Sequence, residues 1–160
     1  TKDRLGKISL TVSDIRENIL HNLKKRFTEA GISGYTSVVA DLSARDPLAP
    51  GDLFDLVIAD VPCTGSGTWG RTPEQLFYFD KNKLSAYSDL QQKIVKRILP
   101  HVKPGGYFLY ITCSVFKEEN EARVQNILAG GGFSIVKQVC LAGYEKKADT
   151  MFACLLRKEL

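Results

Sequence analysis

The chain has 160 residues, 44% of them hydrophobic and 25% charged, an ordinary globular composition with enough length for one domain around one core. No apolar run approaches the roughly 20 residues that cross a bilayer, and the polar start TKDRLGK is not a secretion signal, so a cytoplasmic protein without membrane contact is expected. Four scattered cysteines without a CxxC pair argue against a metal site or a disulfide framework, and the net charge of +4 suits a polyanionic partner no better than a solvated surface.

Strands and helices alternate along the chain. ISLTVSD (Ile8–Asp14) reads as a strand and IRENILHNLKKRFTEAG as an amphipathic helix. Its Ile15, Ile19, Leu20, Leu23, Phe27 and Ala30 fall at helical spacing, and Gly31 is the stop. YTSVVAD is a second strand, and LFDLVIAD a third, continuously apolar as a strand buried on both faces would be. After the glycine-rich loop DVPCTGSGTWGRTPE, KLSAYSDLQQKIVKRILPHV reads as a helix ended by KPGG. YFLYITC is a fourth strand, EENEARVQNILAGGG a helix with a glycine stop, and FSIVKQVCL and TMFACLLRK are two closing strands. No repeat or linker divides the chain. The order predicts a single α/β domain with a doubly wound sheet and an antiparallel edge.

The first three strands each end in an aspartate: Asp14, Asp41 and Asp60. In nucleoside-binding α/β folds a glycine-rich turn follows the first strand, and an acidic residue ending the second bonds the ribose hydroxyls. Asp14 fits that second position, so the chain reads as beginning one βα unit late.

Gly65, Gly67 and Gly70 spell G-x-G-x-x-G after a strand, but four residues separate the strand from the first glycine and the polar RTPE follows where a helix should open. A plain loop explains the pattern better than a phosphate cradle. Two cysteines, Cys63 and Cys113, stand at the ends of apolar strands, where α/β proteins carry out chemistry. A thiolate is a strong nucleophile once its pKa falls below the free value of about 8.5. Neighbouring strands lie about 4.8 Å apart, so two such ends can share one crevice. From position alone, core filling and reactivity remain equally open.

DVPCTGSGTWGRTPE together with KPGGYFLYITCSVFKEENE resembles the RNA cytosine-C5 methyltransferases of the Nol1/Nop2/Sun (RsmB-like) family. That family carries Asp-x-Pro-Cys with a following Gly and Arg-x-Pro, and later Gly-Gly…Thr-Cys-Ser…Glu-Glu-Asn. ADTMF looks like its Asp-x-Phe-Phe segment, with Met in place of the first Phe, and the resemblance runs from Leu10 to Leu156. It implies a Rossmann-like class I methyltransferase sheet lacking its first βα unit, S-adenosylmethionine as cofactor and rRNA or tRNA as partner. It makes Cys113 the nucleophile and Cys63 the cysteine that aids product release. Asp60 would lie beside the cofactor's methionine end and the base, Asp14 would bond the ribose hydroxyls and Asp41 the adenine. DNA cytosine methylases instead use the Pro-Cys thiol as nucleophile.

The chemistry accounts for these residue types. C5 of cytosine is too electron-poor to take a methyl group unaided, and thiolate addition at C6 turns it into an enamine carbon. A carboxyl group on the N3/N4 edge stabilises the charge shift. The C5 proton must then leave and the sulfur be expelled, a step a second thiolate assists, so the cysteines are expected on opposite sides of one base. The base must also be unstacked, and Trp69, Arg71 and Tyr78 suit that task, whereas Phe77 and Phe79 are expected to cap the sheet.

The remaining candidates are bland. Lys24, Lys25, Arg26, Lys93, Lys96 and Arg97 read as solvated helix faces, Cys140 and Cys154 as core, and Glu119 and Asn120 as family residues that also suit a helix start. The family's Ala-x-x-Gly-Gly-Lys cofactor segment is not in this chain. The piece is therefore expected to be the C-terminal part of a catalytic domain, to have a gap where the central strand belongs, and to bind cofactor weakly. A non-catalytic RNA-binding scaffold and a dinucleotide oxidoreductase built on Gly65–Gly70 are the rival readings.

Overall fold

The computed structural model describes residues 8–49 and 51–160, so the polar TKDRLGK lies outside the described residues. They form two compact units, one within Thr1–Ala49 and one within Pro50–Leu160, where the sequence reads as a single domain. Each unit has its own hydrogen-bonded sheet.

In the first unit, β1 (Leu10–Asp14) and β2 (Tyr35–Val39) are parallel and are joined by α1 (Glu17–Glu29). The helix buries Leu20 and sets Phe27 edge-on against Tyr35 at 4.9 Å between ring centroids. Ile15, expected on the apolar face, is exposed. The Ala40 amide donates to the Asp14 carbonyl at 3.1 Å, carrying the ladder one step past β2. Parallel pairing brings Asp14 and Asp41 out at the same edge, the carboxyl end of both strands.

The second unit is a four-stranded sheet in the order β3 (Phe54–Asp60), β4 (Val102–Thr112), β6 (Met151–Lys158), β5 (Phe133–Leu141). β3 and β4 are parallel and connected through a short helix α2 (Glu74–Phe77) and the long α3 (Lys81–Ile98). Asp80 caps α3 by accepting from the Asn82 amide. α4 (Glu121–Ala129) leads from β4 to β5.

The antiparallel part is larger than an edge. β6 runs between β4 and β5, antiparallel to both, and β5 is the outer strand. Phe152, Cys154 and Leu156 of β6 pack with Phe108, Tyr110 and Val124 in the most deeply buried layer. That alternation is the period-2 signature of a strand with one covered face.

Three expectations are corrected. β3 is not buried on both faces: among the described residues only β4 pairs with it, and Leu56 and Ile58 are 49% and 59% exposed. Cys140 is exposed because it lies on the outer strand, while Cys154 one strand inward is fully buried. KPGG does not end the helix but opens β4, where the pairing jumps from Phe54–Val102 to Leu56–Tyr107 and the intervening residues bulge out.

Candidate active site

β3 and β4 leave the sheet side by side, with Asp60 opposite Ile111 and the Val61 amide donating to the Ile111 carbonyl at 3.2 Å. Beyond them Cys63 and Cys113 converge. Their Sγ atoms are 3.4 Å apart, and both residues are partly exposed. The thiols therefore touch, and the slot expected between them for a base is closed.

Glu119 holds the two loops together. Its fully buried carboxylate accepts from the Thr64 amide at 2.8 Å and the Thr64 hydroxyl at 2.6 Å, one residue after Cys63. It also accepts from the Ser114 hydroxyl, one residue after Cys113, and from Gln91 Nε2 at 3.3 Å. A buried carboxylate is tolerated when its oxygens are satisfied in this way. Gln91 reaches on to the Pro62 carbonyl at 3.0 Å, and the Tyr110 hydroxyl donates to the Glu119 carbonyl at 2.7 Å. Asn120 accepts from the Thr112 hydroxyl and donates to the Ser114 carbonyl at 2.8 Å. Neither side chain caps α4: Asn120 is the cap residue, but its side chain makes no capping bond.

Sequence reasoning missed Thr64, Ser66 and Gln91. The signal available was a hydroxyl residue directly after each cysteine.

The glycine loop is anchored here too. The Gly67 amide donates to the Cys113 carbonyl at 2.8 Å, and the Gly67 carbonyl accepts from the Thr150 amide at 3.0 Å. A Cβ on Gly67 would lie 2.1 Å from the Thr150 carbonyl oxygen, so only glycine permits this approach. The G-x-G-x-x-G pattern thus serves backbone packing, through a 3-10 turn at Ser66–Thr68 rather than a helix.

The electrostatics differ between the two sulfurs. The Cys63 thiol donating to Cys113 holds the latter's pKa down to about 7, against opposition from burial and from the negative charges of Asp60 and Asp149. Cys63 is pushed up by the same hydrogen bond and by burial. Of the two thiols, Cys113 is therefore the one that ionises first. Asp60 is raised from the usual carboxylate range by partial burial.

The second unit thus brings Cys63, Cys113 and Asp60 together, whereas Asp14 and Asp41 belong to the first. Asp14 accepts from the Arg16 amide at 2.8 Å and from its guanidinium, which lowers its pKa; Asp41 accepts from the Ser43 amide at 2.8 Å. Arg71, a candidate for phosphate, is paired with Asp149 through two bonds of 2.6 and 2.7 Å. Phe79 stacks on Phe116 at 5.3 Å, with Trp69 against both. Phe77 does not cap the sheet; it is 85% exposed beside Tyr78, because α2 is a single surface turn.

Paired loops at the carboxyl ends of adjacent parallel strands carry the two thiols, the position at which α/β sheets hold their ligands. The family model "16S rRNA methyltransferase RsmB/F" matches residues 6–140, and the chain belongs to that family. It is 28% identical over 123 residues to the probable ribosomal RNA small subunit methyltransferase B of Coxiella burnetii, covering 76% of this chain and 29% of that protein. It is 37% identical over 76 residues to ribosomal RNA small subunit methyltransferase B of Cronobacter sakazakii, 48% of this chain and 18% of that protein. The chain thus spans under a third of the length of these curated relatives.

Among solved structures, PH0851 superposes with a TM-score of 0.88 at 28% identity, over 95% of this chain and 37% of that one. NSun6 from Pyrococcus horikoshii with SFG superposes at 0.83 and 20% identity, over 95% and 42%.

Proposed function

We propose that this chain carries the catalytic residues of an RNA cytosine-C5 methyltransferase, acting on ribosomal RNA, with Cys113 as nucleophile. The observation that carries the reading is the 3.4 Å contact of the two sulfurs, across which a hydrogen bond from the Cys63 thiol stabilises the Cys113 thiolate. That contact supplies a thiolate near neutral pH at the place where the chemistry needs one.

The Cys113 thiolate adds to C6 of the base, and the electron pair of the C5–C6 double bond becomes available at C5. Asp60, its pKa raised, holds or lends a proton at the N3/N4 edge as charge builds there. S-adenosylmethionine supplies the methyl group as an electrophilic carbon on a sulfonium. Solvent water takes the C5 proton, the C5–H electron pair re-forms the C5–C6 double bond, and the C6–S bond breaks with its pair returning to Cys113 as the thiolate. Cys63, in contact with the attacking sulfur, is the residue within reach of that last step. The carboxylates of Asp14 and Asp41 suit the cofactor's nucleoside. The Asp14 carboxylate offers about four acceptor positions, and its three bonds from Arg16 leave room for a ribose hydroxyl.

Substitution in the full-length protein tests the assignment. Cys113→Ala abolishes transfer of a labelled methyl group to RNA, and Cys63→Ala leaves protein covalently bound to RNA, visible as a shifted band on a denaturing gel. If both variants methylate at the wild-type rate, the roles are wrong.

A further inference from the structure

Beside the cysteine pair lies a cavity of about 410 Å³ that the reaction does not use, lined by Ser66, Gly67, Arg71, Val115, Tyr144 and Lys147, among others. Its floor is the catalytic scaffold itself. Ser66 Oγ accepts from the Val115 amide at 2.9 Å, and the Gly67 amide holds the Cys113 carbonyl at 2.8 Å. Its outer wall is the loop 143–150.

That loop is built to be stiff. The Gly143 carbonyl accepts from the amides of Lys146 and Ala148 at 2.8 and 3.0 Å, and the Gly143 amide donates to the Thr150 hydroxyl at 3.2 Å. A Cβ on Gly143 would meet the Asp149 carbonyl oxygen at 2.1 Å, so the loop closes on itself at a glycine. Its far end is pinned by the Thr150 amide on the Gly67 carbonyl and by the Asp149–Arg71 pair. What the stiff loop presents is polar and aromatic. Tyr144 is 74% exposed, and Lys147 stands in the left-handed region at φ +53°, the one non-glycine with positive φ among the described residues. Such a backbone is strained for any residue with a side chain. The Arg71–Asp149 pair cancels its own charge, and among the described residues Lys147 makes no ion pair, so the cavity carries a net positive charge.

We propose that this cavity is the subsite for the nucleotide adjoining the target cytosine, with its base stacked on Tyr144 and its phosphate paired with Lys147. Resting on the function proposed above, this assigns specificity for the flanking nucleotide to loop 143–150. A volume of a few hundred Å³ suits one nucleotide, and an exposed aromatic held rigid beside a lysine is the pairing that single-stranded RNA recognition uses. Unstacking the target base leaves its neighbour without a stacking partner, and Tyr144 replaces what is lost.

The test measures binding of a fluorescein-labelled oligocytidylate by the full-length protein, with methyl transfer followed separately. Tyr144→Ala raises the Kd about tenfold and Tyr144→Phe restores it. Lys147→Gly, which suits the left-handed backbone, weakens binding and flattens the salt dependence by about 0.7 in the log–log slope. Thermal melting checks that neither variant has unfolded. Wild-type Kd and salt slope in Tyr144→Ala and Lys147→Gly overturn the subsite even if Cys113-dependent methylation proceeds. Conversely, Tyr144-dependent binding without any cytosine methylation upholds the subsite and removes the catalytic reading.

Discussion

The sulfurs of Cys63 and Cys113, on loops that leave adjacent parallel strands, sit 3.4 Å apart, within hydrogen-bond reach of each other. The first prediction follows from that contact. Alkylation of Cys113 by iodoacetamide, read by peptide mass mapping, rises with pH through a midpoint of about 7, where half of its thiol has ionised. Removing the donor with Cys63→Ala shifts the midpoint upward, toward that of a free thiol. An unmoved midpoint would mean that Cys63 does not stabilise the thiolate.

Glu119 receives four donors from three segments of the chain. Glu119→Ala leaves those donors unpaired in a buried place and is expected to cost about 3 kcal/mol or more in urea unfolding. Glu119→Gln keeps the size but turns part of an acceptor group into a donor, at about 1–3 kcal/mol. Both variants also loosen the two cysteine loops, so the alkylation midpoint of Cys113 rises with them. Wild-type stability in Glu119→Ala would contradict the bridging role.

The two glycines Gly67 and Gly70 separate packing from sequence pattern. Gly67→Ala drives a methyl group into the Thr150 carbonyl, and a destabilisation of about 2–4 kcal/mol is expected, with loss of methyl transfer. A Cβ at Gly70 meets open space, and Gly70→Ala stays within about 0.5 kcal/mol of wild type. Equal effects at the two positions in thermal melting would show that the close approach at Gly67 is not what selects glycine there.

Phe77 and Phe79 diverge in the same manner. Phe77→Ser changes a ring that is 85% exposed and leaves stability within about 0.5 kcal/mol. Phe79→Ala removes the ring stacked on Phe116 and touching Trp69, at a cost of about 2 kcal/mol. Urea denaturation of the two variants side by side decides the matter.

Much of this protein was readable from residue order alone. Hydrophobic periodicity locates every strand and the three long helices among the described residues, because apolar spacing is a local property. The strand-end aspartates and cysteines were visible for the same reason. Pairing partners were not: whether LFDLVIAD is central or at an edge, and whether Cys140 is covered, depend on which strands lie beside them. The contact of Cys63 with Cys113, and the Glu119 network that enforces it, join residues some fifty positions apart in the chain. Only a folded sheet sets the distance between such residues, because register and loop closure arise from the pairing of strands and not from any one segment.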